Sequence, residues 1–151
     1  MPHQDLAQQT LVENGMLMLI LEGLRNTLAW QVQDTGIPRK LSTLRFITQS
    51  LQRHLERVLA LEEYDGYMDL VLHESPRLSN TVDALKLDHE QLRKDAIHIV
   101  LEFEQVDPAD TDRFDRVCAE LTGLLNRLDA HNKKEATLMQ EAFARDGGGE
   151  G

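Results

Sequence analysis

Hydrophobic positions along this chain recur in alternating steps of three and four. The first run is Leu11, Asn14, Leu17, Leu21, Leu24 and Leu28. The second is Leu41, Leu44, Ile47, Leu51, His54, Val58 and Glu62. The third is Val82, Leu85, His89, Leu92, Ala96, Ile99 and Phe103, and the fourth is Phe114, Val117, Leu121, Leu124, Leu128, His131, Glu135 and Leu138. Such stepping keeps one face of a helix toward a core. Leu, Glu, Gln, Arg and Ala dominate all four runs, and the β-branched runs that would favour strands are absent. The runs are separated at Asp34-Thr35-Gly36-Ile37-Pro38, at Ser75-Pro76 and at Asp107-Pro108. The last two place a capping residue before a proline at the first helical position, and Asp110 and Asp112 follow in the first turn of the fourth segment. The pattern predicts an all-α fold, an up-down-up-down antiparallel four-helix bundle with short links.

Composition narrows the partners. Sixteen Lys and Arg stand against 26 Asp and Glu in 151 residues, a formal net charge of −10. A nucleic acid or an anionic membrane surface needs clustered cations, so neither is expected as a partner. No apolar run approaches the roughly 20 residues of a membrane span. The longest, Met16 to Leu21, sits inside the helical pattern and lacks the flanks of a signal peptide. The single Cys118 cannot form an internal disulfide. The expectation is a cytoplasmic protein of one domain, residues 1–146, followed by a flexible glycine-rich tail at 147–151.

The informative positions are those where a polar residue interrupts an inward stripe. Asn14, His54, Glu62, His89, His131 and Glu135 all stand where leucine would be the inexpensive choice. A buried carboxylate is costly unless it is paired, hydrogen-bonded or bound to a metal. His131 and Glu135 are four apart and point the same way, so both can reach one ion. Glu62 and His89 stand at equal sequence distances from the second break, which puts them at one level of two antiparallel helices. His131 and Glu135 lie farther from the third break than His89 does, and an extended loop through Val106 to Asp112 absorbs most of the difference. The remaining candidates have structural readings. His54 is a core or boundary histidine, His98 a surface one, His73 a helix-end residue and His3 part of a frayed terminus. Glu63 points away from Glu62 onto a solvated face, Cys118 is a small core residue, and Trp30, Met16 and Met18 serve packing. No nucleophile-base constellation, glycine-rich phosphate loop or cysteine-based zinc motif is present, so no catalytic residue is assigned and the chain is expected not to be an enzyme.

His131-Asn-Lys-Lys-Glu135, Asp88-His89 and Leu61-Glu62-Glu63 together resemble the hemerythrin-like (HHE cation-binding) family. The stretch from Leu61 to Met68, then Ser75-Pro-Arg-Leu and Leu87-Asp-His89, resembles its bacterial members in particular, and the likeness covers roughly residues 10 to 143. The resemblance implies a di-iron centre built from a His on helix one, a HxxxE pair on helix two, one or two His on helix three and a second HxxxE-type pair on helix four, with the two glutamates bridging. Here that set is incomplete. The helix-one position falls at Asn14 or Gly15, the first member of the helix-two pair is Val58, and the second helix-three position is Arg93. Both histidines that the resemblance assigns to one iron are therefore missing. Those assigned to the other, His89 and His131, are retained with both carboxylates, Glu62 and Glu135.

Three readings follow. The one favoured from the sequence is a metal-free, non-enzymatic regulatory or interaction module, in which Arg93 turns inward and satisfies Glu62 or Glu135 in place of the lost cation. The alternative is a sensing or redox protein holding a single ion, iron or else zinc or manganese, on Glu62, His89, His131 and Glu135. The third restores two ions by shifting His54 into the role of residue 58. A metal ion, a protein partner and a second copy of the chain are the partners left open.

Overall fold

The computed structural model describes residues 2–64 and 66–144, with side chains described over 8–33, 35–64 and 66–143. The tail at 147–151, the boundary at residue 146 and the side chain of His3 lie outside the described residues. Four long helices form the predicted bundle: α1 (Pro2–Leu28), α2 (Ile37–Glu63), α4 (Ser79–Gln105) and α5 (Thr111–Met139). A short fifth, α3 (Tyr67–Glu74), intervenes between α2 and α4 and is followed by a 3-10 turn, Pro76–Leu78. The described residues contain no strand. No helix among them is long and apolar enough to cross a membrane.

The three-four stripes bury as expected. Leu17, Leu21, Leu24, Leu41, Leu44, Leu51, Val58, Leu92, Ile99, Phe103, Leu121, Leu124 and Leu128 lie in one apolar cluster. Each fully buried large aliphatic side chain contributes about 2 kcal/mol relative to exposure. A separate cluster of Met68, Val71, Leu78, Val82, Leu85, Leu138 and Ala142 closes one end of the bundle, where α3 packs across the ends of α4 and α5. Helix ends leave carbonyls without intrahelical partners, and two cations on α2 serve them. Lys40 Nζ donates to the carbonyls of Leu28 (3.0 Å) and Trp30 (2.9 Å) beyond α1. Arg45 donates to those of Phe103 (2.7 Å) and Val106 (2.8 Å) at the end of α4.

Several local expectations are corrected. The link between α2 and α4 is not short, because Gly66 turns the chain into α3. A Cβ at residue 66 would stand 2.1 Å from the Leu61 carbonyl oxygen, so only glycine permits this close return. The α5 N-cap is Asp110, whose side chain accepts from the Arg113 amide at 3.1 Å, while Asp107 instead accepts from the Ala109 amide at 2.9 Å within the preceding turn. On α1, Leu11 is exposed although it falls on the predicted stripe. Met16, Met18 and Trp30, read from the sequence as packing residues, are exposed as well. His98 is on the surface against Glu120, His73 ends α3, and His54 is half-buried with Nδ1 3.2 Å from Oε2 of Glu13.

Candidate metal centre

The bundle brings together all four stripe residues singled out above. Glu62 is in the last turn of α2, His89 near the middle of α4, and His131 and Glu135 one turn apart on α5. All four are buried, and one potential ligand atom from each lies within 4.8 Å of every other. Nε2 of His89 is 3.0 Å from Nε2 of His131 and 3.1 Å from Oε2 of Glu62. Nε2 of His131 is 3.0 Å from Oε1 of Glu135. The two rings meet edge to edge, with centroids 4.7 Å apart and planes at 65°, so their nitrogens converge on one point.

The outer nitrogens decide what those inner ones can do. Nδ1 of His89 lies 2.7 Å from Oε1 of Glu63. Arg93 donates to both oxygens of Glu63, at 2.9 and 3.1 Å. Partial burial pushes the Glu63 carboxyl up, but the hydrogen bonds from Arg93 and His89 outweigh it and hold the carboxyl below its ordinary range. An ionised carboxylate only accepts, so Nδ1 of His89 carries the hydrogen and Nε2 presents a lone pair inward. Nδ1 of His131 makes the corresponding, longer contact of 3.4 Å with Oδ2 of Asp88, which also accepts from Lys134 at 3.3 Å. Carboxylates placed behind imidazoles in this way orient metal-binding histidines and raise their basicity.

This arrangement leaves lone pairs facing lone pairs. Oε2 of Glu62 is buried without a hydrogen-bond partner, although Nε2 of His89 is 3.1 Å away, because that nitrogen has no hydrogen to give. Burial, reinforced by its hydrogen bond to Glu135 and by the charges of Glu135 and Glu63, pushes the Glu62 carboxyl up to about 10. Burial also pushes Glu135 up, but hydrogen bonds from His131, Glu62 and Tyr67 reverse the sign and hold it low. Burial lowers His89, whereas His131, although also buried, is raised on balance by Glu135 and Asp88. A cluster of two imidazole lone pairs and two carboxylates is resolved either by protons on Glu62 and His131 or by a cation between them. Separations near 3 Å suit a first-row divalent ion, whose bonds of about 2.0–2.2 Å place adjacent ligand atoms at that spacing. The donor set of two nitrogens and two carboxylates suits iron, zinc or manganese. The residues therefore fit a metal.

Three participants were not anticipated. Glu63 does not face solvent; it is partly buried and holds His89. Asp88, noted only as a neighbour of His89, stands behind His131. Tyr67, the first residue of α3, donates its hydroxyl hydrogen to Oε2 of Glu135. Burial and the two nearby carboxylates push its phenol far above the ordinary range, so it remains a donor. A glycine just before an aromatic residue, in a link long enough to cross the bundle end, is the sequence signal that could have found it. The expected inward turn of Arg93 is corrected. Its hydrogen bonds go to Glu56, Glu63 and Glu90, and none goes to Glu62 or Glu135. Its place at the rim follows from those three glutamates, which offer a charged side chain partners nearer water. Val58 is buried in the apolar cluster, where a second ion would need a ligand, and His54 is occupied with Glu13.

A family model, the Hemerythrin HHE cation binding domain, matches residues 11–143. No curated protein and no solved structure matches the chain. With four long antiparallel helices and an inward cluster of two histidines and two glutamates, a match of that extent places this chain in the hemerythrin HHE cation-binding family.

Proposed function

We propose that this protein is a non-enzymatic regulatory or sensing module that binds one divalent ion, iron first among the candidates, through Glu62, His89, His131 and Glu135. The observation that carries the reading is the facing pair of Nε2 atoms, 3.0 Å apart, each backed at Nδ1 by a carboxylate. That polarity prepares both imidazoles as ligands. Val58 and the half-buried Asn14, in place of histidines, limit the centre to one ion. When bound, such an ion supplies Lewis acidity or a one-electron couple. The chain's own part is to hold the two lone pairs in register, to satisfy Glu135 through Tyr67 and to keep the layer buried between apolar clusters.

The test is metal content by elemental analysis after anaerobic loading with Fe(II), and separately with Zn(II), followed by desalting. The expected result is one ion per chain, lost in His131→Ala. Two ions per chain would overturn the single-ion reading. No ion, or unchanged uptake by His131→Ala, would overturn the assignment of the centre.

A further inference from the structure

We infer that the outer face of α1 is the interface between two copies of this chain, paired as antiparallel helices about a two-fold axis close to Gly15. The inward face of α1 is accounted for by Leu17, Leu21 and Leu24, which lie in the bundle core. On the opposite side Leu11, Val12, Met16, Met18 and Leu19 are between 40 and 72 % exposed. Helical periodicity puts these five on one continuous surface around Gly15. They leave on the order of 500 Å² of apolar surface in water, near the upper end of what a monomer shows. Two such faces total on the order of 1,000 Å², the size that a specific interface needs to reach.

The residue pattern itself points to a second copy of the chain as the occupant. Leu11 and Val12 precede Gly15 by four and three residues, and Met18 and Leu19 follow it by three and four. The apolar pairs therefore stand symmetrically about Gly15, so a two-fold axis there sets Leu11 against Leu19 and Val12 against Met18 of the second copy, the reciprocal pairing of an isologous contact. Gly15 lies in the interior of α1, where glycine weakens a helix. No packing against the rest of the bundle needs that glycine, since a Cβ there would meet no other described part of the protein within 4 Å beyond its own stretch of helix. A missing side chain at the centre of an apolar face allows a second helix to approach closely. Residues Asn14 to Leu21 carry no charge. In a molecule of net charge −10 this face is where another acidic copy meets least repulsion, whereas a basic partner would find nothing to pair with.

Light scattering on the 151-residue chain at about 100 µM, a concentration at which even micromolar association is visible, should give twice the 17.2 kDa chain mass. The double variant Leu11→Lys with Leu19→Lys should be monomeric, with association weakened at least a hundredfold and helicity unchanged by circular dichroism, because both residues are exposed. Gly15→Cys in a Cys118→Ala background should cross-link into a disulfide-bonded dimer on mild oxidation, since the two-fold brings both copies of residue 15 together. A monomeric parent protein would overturn the inference. So would a dimer that survives the double lysine variant, or a parent monomer that binds phosphatidylcholine vesicles through this face.

Discussion

Replacing Glu63 by alanine tests how the centre is organised without touching a proposed ligand. In the parent protein its carboxylate holds the Nδ1 hydrogen of His89 at 2.7 Å and is itself fixed by two nitrogens of Arg93 at 2.9 and 3.1 Å. Without it, His89 can exchange tautomers and place a hydrogen on Nε2, which blocks the lone pair. Loss of an oriented partner behind a metal-bound imidazole typically weakens affinity 10- to 100-fold, equivalent to about 1.4–2.7 kcal/mol. The short contact and the Arg93 clamp put Glu63→Ala toward the upper end of that range. The equivalent contact of Asp88 is 3.4 Å long and shared with Lys134, so Asp88→Ala should cost less than about tenfold. Competition for Zn(II) against a chromophoric chelator at fixed pH measures both variants, with stoichiometry staying at one ion. Affinity within about twofold of the parent for Glu63→Ala, or a larger loss in Asp88→Ala, would refute the orienting role.

Other consequences are accessible to simple measurements. Zn(II) at about 100 times its dissociation constant should stabilise the fold by about 2.7 kcal/mol and raise the melting temperature by roughly 5–10 °C; His131→Ala should show no such rise. Tyr67→Phe leaves Oε2 of Glu135 without its donor and should lower metal-free stability by about 1–3 kcal/mol in urea unfolding. Gly66→Ala sets a Cβ 2.1 Å from the Leu61 carbonyl oxygen and should displace α3, with a loss of about 1–3 kcal/mol and weaker zinc binding. The raised carboxyl of Glu62 stays protonated in the folded state at pH values where the unfolded chain has released that proton. The Glu62 contribution to metal-free stability should therefore fall as pH rises from about 4.5 toward 10, by at most about 1.4 kcal/mol per unit. Below about 6.5 the lowered His89 opposes it, so the net fall shows above that pH, and Glu62→Gln should flatten it. By the same linkage, zinc uptake should release protons into a weakly buffered indicator solution near neutral pH.

The long helices and the four central residues were legible because both are written as periodicity. A stripe that steps by three and four marks a helix, and a histidine or glutamate on such a stripe marks the place where the core turns polar. The supporting residues follow no such rule. Glu63 lies about a quarter turn from the stripe, and its role depends on which neighbouring helix its side chain meets, a tertiary fact. Arg93 was expected to turn inward because its i,i+4 relation to His89 was visible, while Glu56, across on α2, was not. Tyr67 carries no such mark because α3 is only eight residues long, too short for a periodic signature, and because Ser75-Pro76 is a stronger break signal than Gly66. On α1 the hydrophobic residues outnumber what one stripe can bury, and periodicity alone does not say which of two apolar faces turns inward.

The polar layer lies between two apolar clusters that share no residue. The larger runs through α1, α2, α4 and α5, and the smaller joins α3 to the ends of α4 and α5. Burial of hydrocarbon is what makes a bundle melt as one body, and here that continuity is interrupted at Glu62, His89, His131 and Glu135. The small end assembly can therefore open as a cooperative unit of its own, below the free energy of global unfolding. Its opening withdraws Tyr67 from Glu135 and exposes the layer to water, whereas an ion held by α2, α4 and α5 together rivets the two halves. The exchange of such an ion is then expected to keep pace with the opening of this short helix, which hydrogen exchange at the α3 amides would time.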